Sequence, residues 1–233
     1  MNVYFTVDVE QDCPPYLNTW RGLDEGMPRL LGMLAEEGVR ATFFTTGETA
    51  RRFPDRMRAI VDAGHELGCH GDTHRSFAEM TAEESEAEIA ESSVTLRAFG
   101  PVVSFRAPYL RFPDPYVPLL KRHHYTLDSS EGRHKKLGAS VHVDHDVLRV
   151  PASVTSSTLR WPAAIRDRLF ATLNHPVVLF VHPWEFVDLR RERLRFDCRF
   201  KTGQDALDSA RSALRFFVSR GGTFGLMRDC VER

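Results

Sequence analysis

The chain has 233 residues, with 31 Lys plus Arg against 32 Asp plus Glu and a formal charge of −1 when the histidines are neutral. A reader of phosphate backbones needs a cationic excess, so no nucleic-acid partner is expected. A composition 42% hydrophobic and 27% charged excludes disorder and collagen-like structure, and no apolar run reaches the roughly 18 residues of a membrane span. Cys13, Cys69, Cys198 and Cys230 make no CxxC pair, which argues against a zinc ribbon or a disulfide framework. With no secretory-signal pattern at the start, a cytoplasmic location is expected.

β-rich runs alternate with helical patterns along the chain. Val3–Val7 opens as a strand, and Met27, Leu30, Leu31, Leu34 and Ala35 then share one face of a helix that Gly38 is placed to cap. Further strands are predicted at Ala41–Thr45, His65–Cys69, Val102–Arg106, Tyr125–Leu127, Val147–Val150, Val177–Val181 and Thr223–Met227. Thr81-x-x-Glu84 is a capping box opening one helix, and Ala206, Ala210, Ala213, Leu214 and Phe217 line another. Strands separated by helices predict a mostly parallel sheet. So many units favour closure into one α/β barrel domain over 1–233, with an open doubly wound sheet as the alternative. No GxGxxG or Walker loop follows any strand, which removes support for a nucleotide cofactor.

In parallel α/β folds chemistry gathers at the carboxyl ends of strands. Asp8 and Glu10 end the first strand on the same side of an extended chain, where a cation would keep both ionised. His70 and His74 follow the third strand in His70-Gly71-Asp72-Thr73-His74; two imidazoles and one carboxylate make a three-ligand catalytic metal set with an open position. Two more strand ends carry Arg106-Ala107-Pro108-Tyr109 and Leu179-Phe180-Val181-His182-Pro183-Trp184-Glu185.

Taken in order, these motifs resemble the polysaccharide deacetylase family, also called NodB-homology domains or carbohydrate esterase family four. The resemblance implies an irregular (β/α) barrel of about seven strands and a metal-dependent hydrolase that removes an N-acetyl group from an amino sugar. Asp8 matches the general base, and His70 and His74 the metal histidines. The first motif is a D-x-E variant, similar to that of lipid-linked aminosugar deformylases. It makes Glu10 the third ligand, with Asp12 as the alternative. The resemblance further implies one divalent ion, zinc first and cobalt, nickel or manganese next. Arg106 matches the arginine that orients the base, the Tyr109 backbone N–H an oxyanion donor, and His182 the general acid. Asp128 matches the carboxylate that holds that histidine, or else is a strand-end turn residue; a tryptophan usual beside it has no counterpart. Leu179, Trp184 and Tyr109 are expected against the substrate, Leu179 as the wall around the acyl methyl.

Tyr16 and Trp20 offer aromatic faces to a sugar ring. The arginine-rich run Phe186–Phe196 is read as a solvated face, with peripheral contact to an anionic membrane as the alternative. His142, Asp144, His145 and Asp146 fit a polar loop or a second metal site. Rival functions are deformylation of a lipid-linked formamido sugar, carbohydrate binding without turnover, and O-acetyl ester hydrolysis.

Overall fold

The computed structural model describes residues 1–135 and 138–230. Strand β1 (Asn2–Val9) is its centre. Five more parallel strands follow on one side: β2 (Thr42–Thr45), β3 (Glu66–Cys69), β4 (Ser104–Phe105), β5 (Leu127–Asp128) and β7 (Val147–Arg149). β6 (His142–Asp144) pairs antiparallel with β7 at that edge, and β8 (Val177–Val181) flanks β1 on the other side. β8 pairs with β1 over Val3–Val7, so the opposite edge of β1 is shared, β9 (Thr223–Gly225) taking Asn2–Tyr4 and β2 taking Thr6–Val9.

Every predicted strand is present within a few residues. β6 is the addition: its His, Val and Asp carry no apolar run, and its extended form comes from pairing with β7. The sheet curls without closing as a ladder. Across the gap Ser153 donates its N–H to the Val178 carbonyl at 2.8 Å, while its hydroxyl accepts the Val178 N–H at 3.0 Å. The architecture is therefore an open, irregular, mostly parallel α/β barrel. Among the described residues no helix is long and apolar enough to cross a membrane.

The strand period of two sorts the layers. On β1, Val3, Phe5, Val7 and Val9 join the main core between sheet and helices, whereas Tyr4, Thr6, Asp8 and the following Glu10 face the barrel interior. Helix α1 (Met27–Glu36) buries Met27, Leu30, Met33 and Leu34; Ala35 lies outside the stripe predicted for it. Gly38 ends that helix at φ +65°, a conformation cheap only for glycine. The capping box at Thr81 forms with both of its reciprocal bonds, opening the helix Ala82–Arg97.

Candidate active site

At the carboxyl ends of the strands lies a cavity of about 400 Å³ lined by Asp8, Glu10, His70, His74, Tyr109 and His182, among others. His70 continues the inward-facing row of β3. Gly71, at φ +76°, then turns the chain so that His74, itself left-handed at φ +57°, comes back beside it with ring centroids 5.3 Å apart. The turn is held from behind by Glu88, which accepts the N–H groups of Asp72 and Thr73 at 2.8 and 2.9 Å.

The ligating atoms of Glu10, His70 and His74 all lie within 4.8 Å of one another, the grouping of that kind among the described residues. His70 Nδ1 is 2.7 Å from the Arg106 carbonyl and must donate to it, so its Nε2 turns a lone pair toward Glu10 Oε2 at 3.3 Å. His74 Nε2 meets the same oxygen. A lone pair facing a carboxylate, as at His70, requires a proton or a cation between them, and two imidazoles with one carboxylate are a borderline-metal set. The residues present thus fit a divalent ion. Burial pushes the Glu10 carboxyl up, but His74, His70 and His182 outweigh it and hold the group well below its ordinary value.

Asp12 is turned away from this set. Its Oδ2 accepts from the Thr19 hydroxyl and the Arg21 N–H, both at 2.7 Å, and its Oδ1 from the Gly22 N–H at 2.8 Å. It shapes the loop after β1, which closes on Gly22: a Cβ there would lie 2.6 Å from the Trp184 nitrogen.

Arg106 is fully buried and spans the interior. Its Nη1 donates to Asp8 Oδ1 and to the Thr6 hydroxyl, both at 2.7 Å, its Nη2 to the Ser129 hydroxyl at 3.0 Å, and its guanidinium lies 4.3 Å from the Phe44 ring centroid. Asp8 is thereby fixed at one oxygen. Tyr109 adopts φ +60° and sets its ring edge-on to His74 at 4.8 Å. Among the described residues its N–H donates to no other backbone group, while its carbonyl accepts from Lys135.

Two expectations are corrected. Asp128 does not hold His182. It pairs in register with Phe105, whose ring lies in the outer core, so its carboxylate points away from the cavity and bonds Arg149 Nε at 3.0 Å and Ser130. It is a strand-end structural group. The carboxylate on His182 is Glu185, whose Oε1 lies 2.9 Å from Nδ1 and whose Oε2 is 2.9 Å from Arg160 Nε. Burial alone would push the imidazole down, but the bond to Glu185, with the Glu10 and Asp8 charges, raises its pKa to about 9. His182 Nε2 stands 3.9 Å from Glu10 Oε1. The cue for Glu185 was the His-Pro-Trp-Glu spacing of one helical turn directly after a strand.

The second correction concerns Leu179. It lies on the outer face of β8 with Val177 and Val181, wholly buried in the main core; Phe180, one residue on, faces inward and lines the cavity. Trp184 does reach the site, stacked on the His182 ring at 4.9 Å and 21°. It covers the face of that histidine where the sequence offered no tryptophan beside Asp128.

Tyr16 lines the cavity, whereas Trp20 packs on Phe53 at 5.4 Å, both partly buried against the outside of the main core. His134 and Lys135 also line it; their loop carries no periodic signal that sequence reasoning could have used. The Asp144–His145 contact, at 2.7 Å, belongs to the β6–β7 hairpin, and among the described residues it joins no ligand grouping. In the arginine-rich run, Arg190 pairs with Asp188 and Arg21 with Glu192, in keeping with a solvated face.

A family model described as polysaccharide deacetylase matches residues 2–127. A peptidoglycan deacetylase of Helicobacter pylori is 33% identical over 115 residues, 47% of this chain and 39% of that protein. A chitooligosaccharide deacetylase of Sinorhizobium fredii is 35% identical over 85 residues, 35% of this chain and 40% of that protein. The chain thus spans about two fifths of the length of these relatives over the matched regions. Among solved structures, a family 4 carbohydrate esterase from Streptomyces lividans superposes with TM-score 0.63 at 18% identity, covering 96% of this chain and 91% of that one. A pseudoenzyme of the same family from Bacillus anthracis superposes at 0.65 and 17% identity, covering 98% and 64%. At such identities these two likenesses concern the fold.

Proposed function

The chain belongs to the polysaccharide deacetylase family, and we propose from that premise that it is a metal-dependent amidohydrolase removing an N-acetyl group from an amino sugar. One observation carries the reading: Asp8 and His182 line one cavity with the Glu10–His70–His74 group, each held from behind by a buried partner, Arg106 for Asp8 and Glu185 for His182. Glu10, His70 and His74 would hold the ion. Zinc suits this donor set, with cobalt, nickel and manganese as alternatives. When bound, such an ion supplies Lewis acidity, lowering the pKa of water and polarising an acyl carbonyl.

The protein's own groups do the rest. Asp8, oriented by Arg106, takes a proton from the attacking water. The Tyr109 N–H, aimed by its left-handed backbone, donates to the oxygen on which negative charge develops, a contribution of about 3 kcal/mol for one such donor. His182 gives its proton to the leaving amine nitrogen, which departs poorly without it. Glu185 keeps the imidazole charged and its Nε2 toward the cavity. Phe180, Tyr16 and Trp184 form the apolar wall for acyl group and sugar.

The test is acyl release from N-acetylglucosamine oligomers by the metal-loaded protein beside Asp8→Asn and His182→Ala. Acetate released by wild type and abolished in both variants is the expected result. Formate from a formamido sugar with no acetate would make the protein a deformylase. No release from either, with metal bound, would leave carbohydrate binding as the function.

A further inference from the structure

Arg160 belongs to none of the sequence motifs, yet it is among the largest buried side chains of the protein, only 2% exposed, and it lines the active cavity. It ends the short helical turn Ser156–Arg160. A buried guanidinium carries five donors and a charge that must all be answered. Its Nη1 donates to the Phe200 carbonyl at 2.6 Å and its Nη2 to the Asp197 carbonyl at 2.7 Å, within and just beyond the short helix Phe196–Arg199. Its Nε lies 2.9 Å from Glu185 Oε2, and among the described residues no other carboxylate is within ion-pair reach. Glu185, itself wholly buried, divides its oxygens: Oε2 faces Arg160, while Oε1 accepts the His182 backbone N–H and lies 2.9 Å from Nδ1 of that ring.

We infer that Arg160 is a positioning residue for the general acid: by holding Oε2 it fixes Glu185 with its other oxygen on His182 Nδ1, and it acts on the histidine through that carboxylate alone. A carboxylate removed from water with no cation beside it takes up a proton and ceases to act as an anion. Burial does push Glu185 up, but Arg160, with His182, outweighs it and holds the group below its ordinary value. The arrangement repeats that of the base, where the buried Arg106 fixes Asp8 at one oxygen. It has one link more, since Arg106 touches the base itself and Arg160 touches the partner of the acid.

Arg160 also has a packing task, because the helix whose carbonyls it holds places Asp197 and Cys198 in the cavity wall. Kinetics separate the two tasks. A displaced wall weakens binding of the substrate and raises KM. A misplaced acid leaves the departing amine poorly protonated, which is felt only in the transition state and lowers kcat. The inference rests on the deacetylase reading, since His182 serves as an acid in that reaction.

The test is a double-substitution cycle, Arg160→Met and Glu185→Gln alone and together, each checked for folding by a thermal melt and assayed on an N-acetyl amino sugar. Arg160→Met is expected to lower kcat about 10- to 100-fold with KM changed less than about twofold, and to change nothing further once Glu185→Gln is present. Arg160→Lys, which returns a cation beside Glu185, is expected to recover part of kcat; taken through the same cycle, it keeps the test decisive should the methionine variant not fold. A signal independent of turnover is the downfield Nδ1–H proton resonance of His182, identified by its absence from His182→Ala. Present in wild type, it is expected to be lost or shifted in folded Arg160→Met. Losses that multiply in the double variant, a raised KM at unchanged kcat, a lysine variant no better than methionine, or an unaltered resonance would each overturn the assignment. A wild type without amide turnover would count against the deacetylase reading, and the resonance would still decide whether Arg160 holds Glu185 on His182.

Discussion

At the scale of single residues, the site depends on two carboxylate partnerships that make ordinary groups fit for opposite tasks. Arg106, itself fully buried, holds one oxygen of Asp8, and Glu185 raises the pKa of a buried imidazole to about 9. Glu185→Gln keeps the shape and removes the charge. It is expected to lower turnover of an N-acetyl substrate by about 10- to 100-fold, while an O-acetyl ester, whose leaving group needs less protonation, loses much less. Parallel kinetics on the two substrates check this; equal losses on both would reduce Glu185 to a structural role.

At the scale of elements, strand parity decides which side chains reach the cavity. Asp8 and Glu10 were legible as a pair because two inward positions follow each other on one strand, and His70 with His74 because their spacing stands directly after another. Leu179 and Asp128 were assigned by resemblance, and strand parity overturns both: a shift of one residue turns a strand side chain to the opposite face, while the all-apolar β8 shows no alternation and β5, only two residues long, no period from which to read the face. Substitution separates the faces. Leu179→Ala should cost about 2–5 kcal/mol in a denaturant melt with little change in acyl preference. Phe180→Ala should instead widen preference toward longer acyl groups, as a series of N-acyl substrates would reveal; the reverse pattern would restore Leu179 to the wall.

The turn into β3 carries a second element-scale consequence. His65 Nδ1 accepts the Ala41 N–H at 3.1 Å, and burial, with Arg40 nearby, lowers its pKa from 6.5 to about 4. Between those values the unfolded chain binds the extra proton. Stability therefore falls as pH drops from about 6.5 toward 4, and this contribution is complete above that window. His65→Asn offers an acceptor at the same place without titrating, so denaturant melts across this range should show a flatter acid limb than wild type. An unchanged slope would remove His65 as its source.

At the scale of the molecule, alternating β and α patterns were enough to predict a parallel α/β barrel, because burial on both faces of a sheet leaves apolar strands between amphipathic helices. Closure was expected, but that it would be incomplete was not legible. The gap beside β8 is bridged by Ser153 through side chain and backbone, a polar contact with no periodic signature. The same holds for Asp12, one of three acidic residues in five positions of the first motif, whose place in the loop became clear only when its partners Thr19, Arg21 and Gly22 were seen.

The most direct test of the whole account is metal content of the purified protein by mass spectrometry, wild type beside Glu10→Ala, His74→Ala and Asp12→Ala, with a thermal melt to verify folding of each. About one equivalent in wild type and in folded Asp12→Ala, lost in Glu10→Ala and His74→Ala, is the predicted result. Metal retained without Glu10 but lost without Asp12, or none taken up by wild type on reconstitution with zinc, cobalt, nickel or manganese, would contradict it.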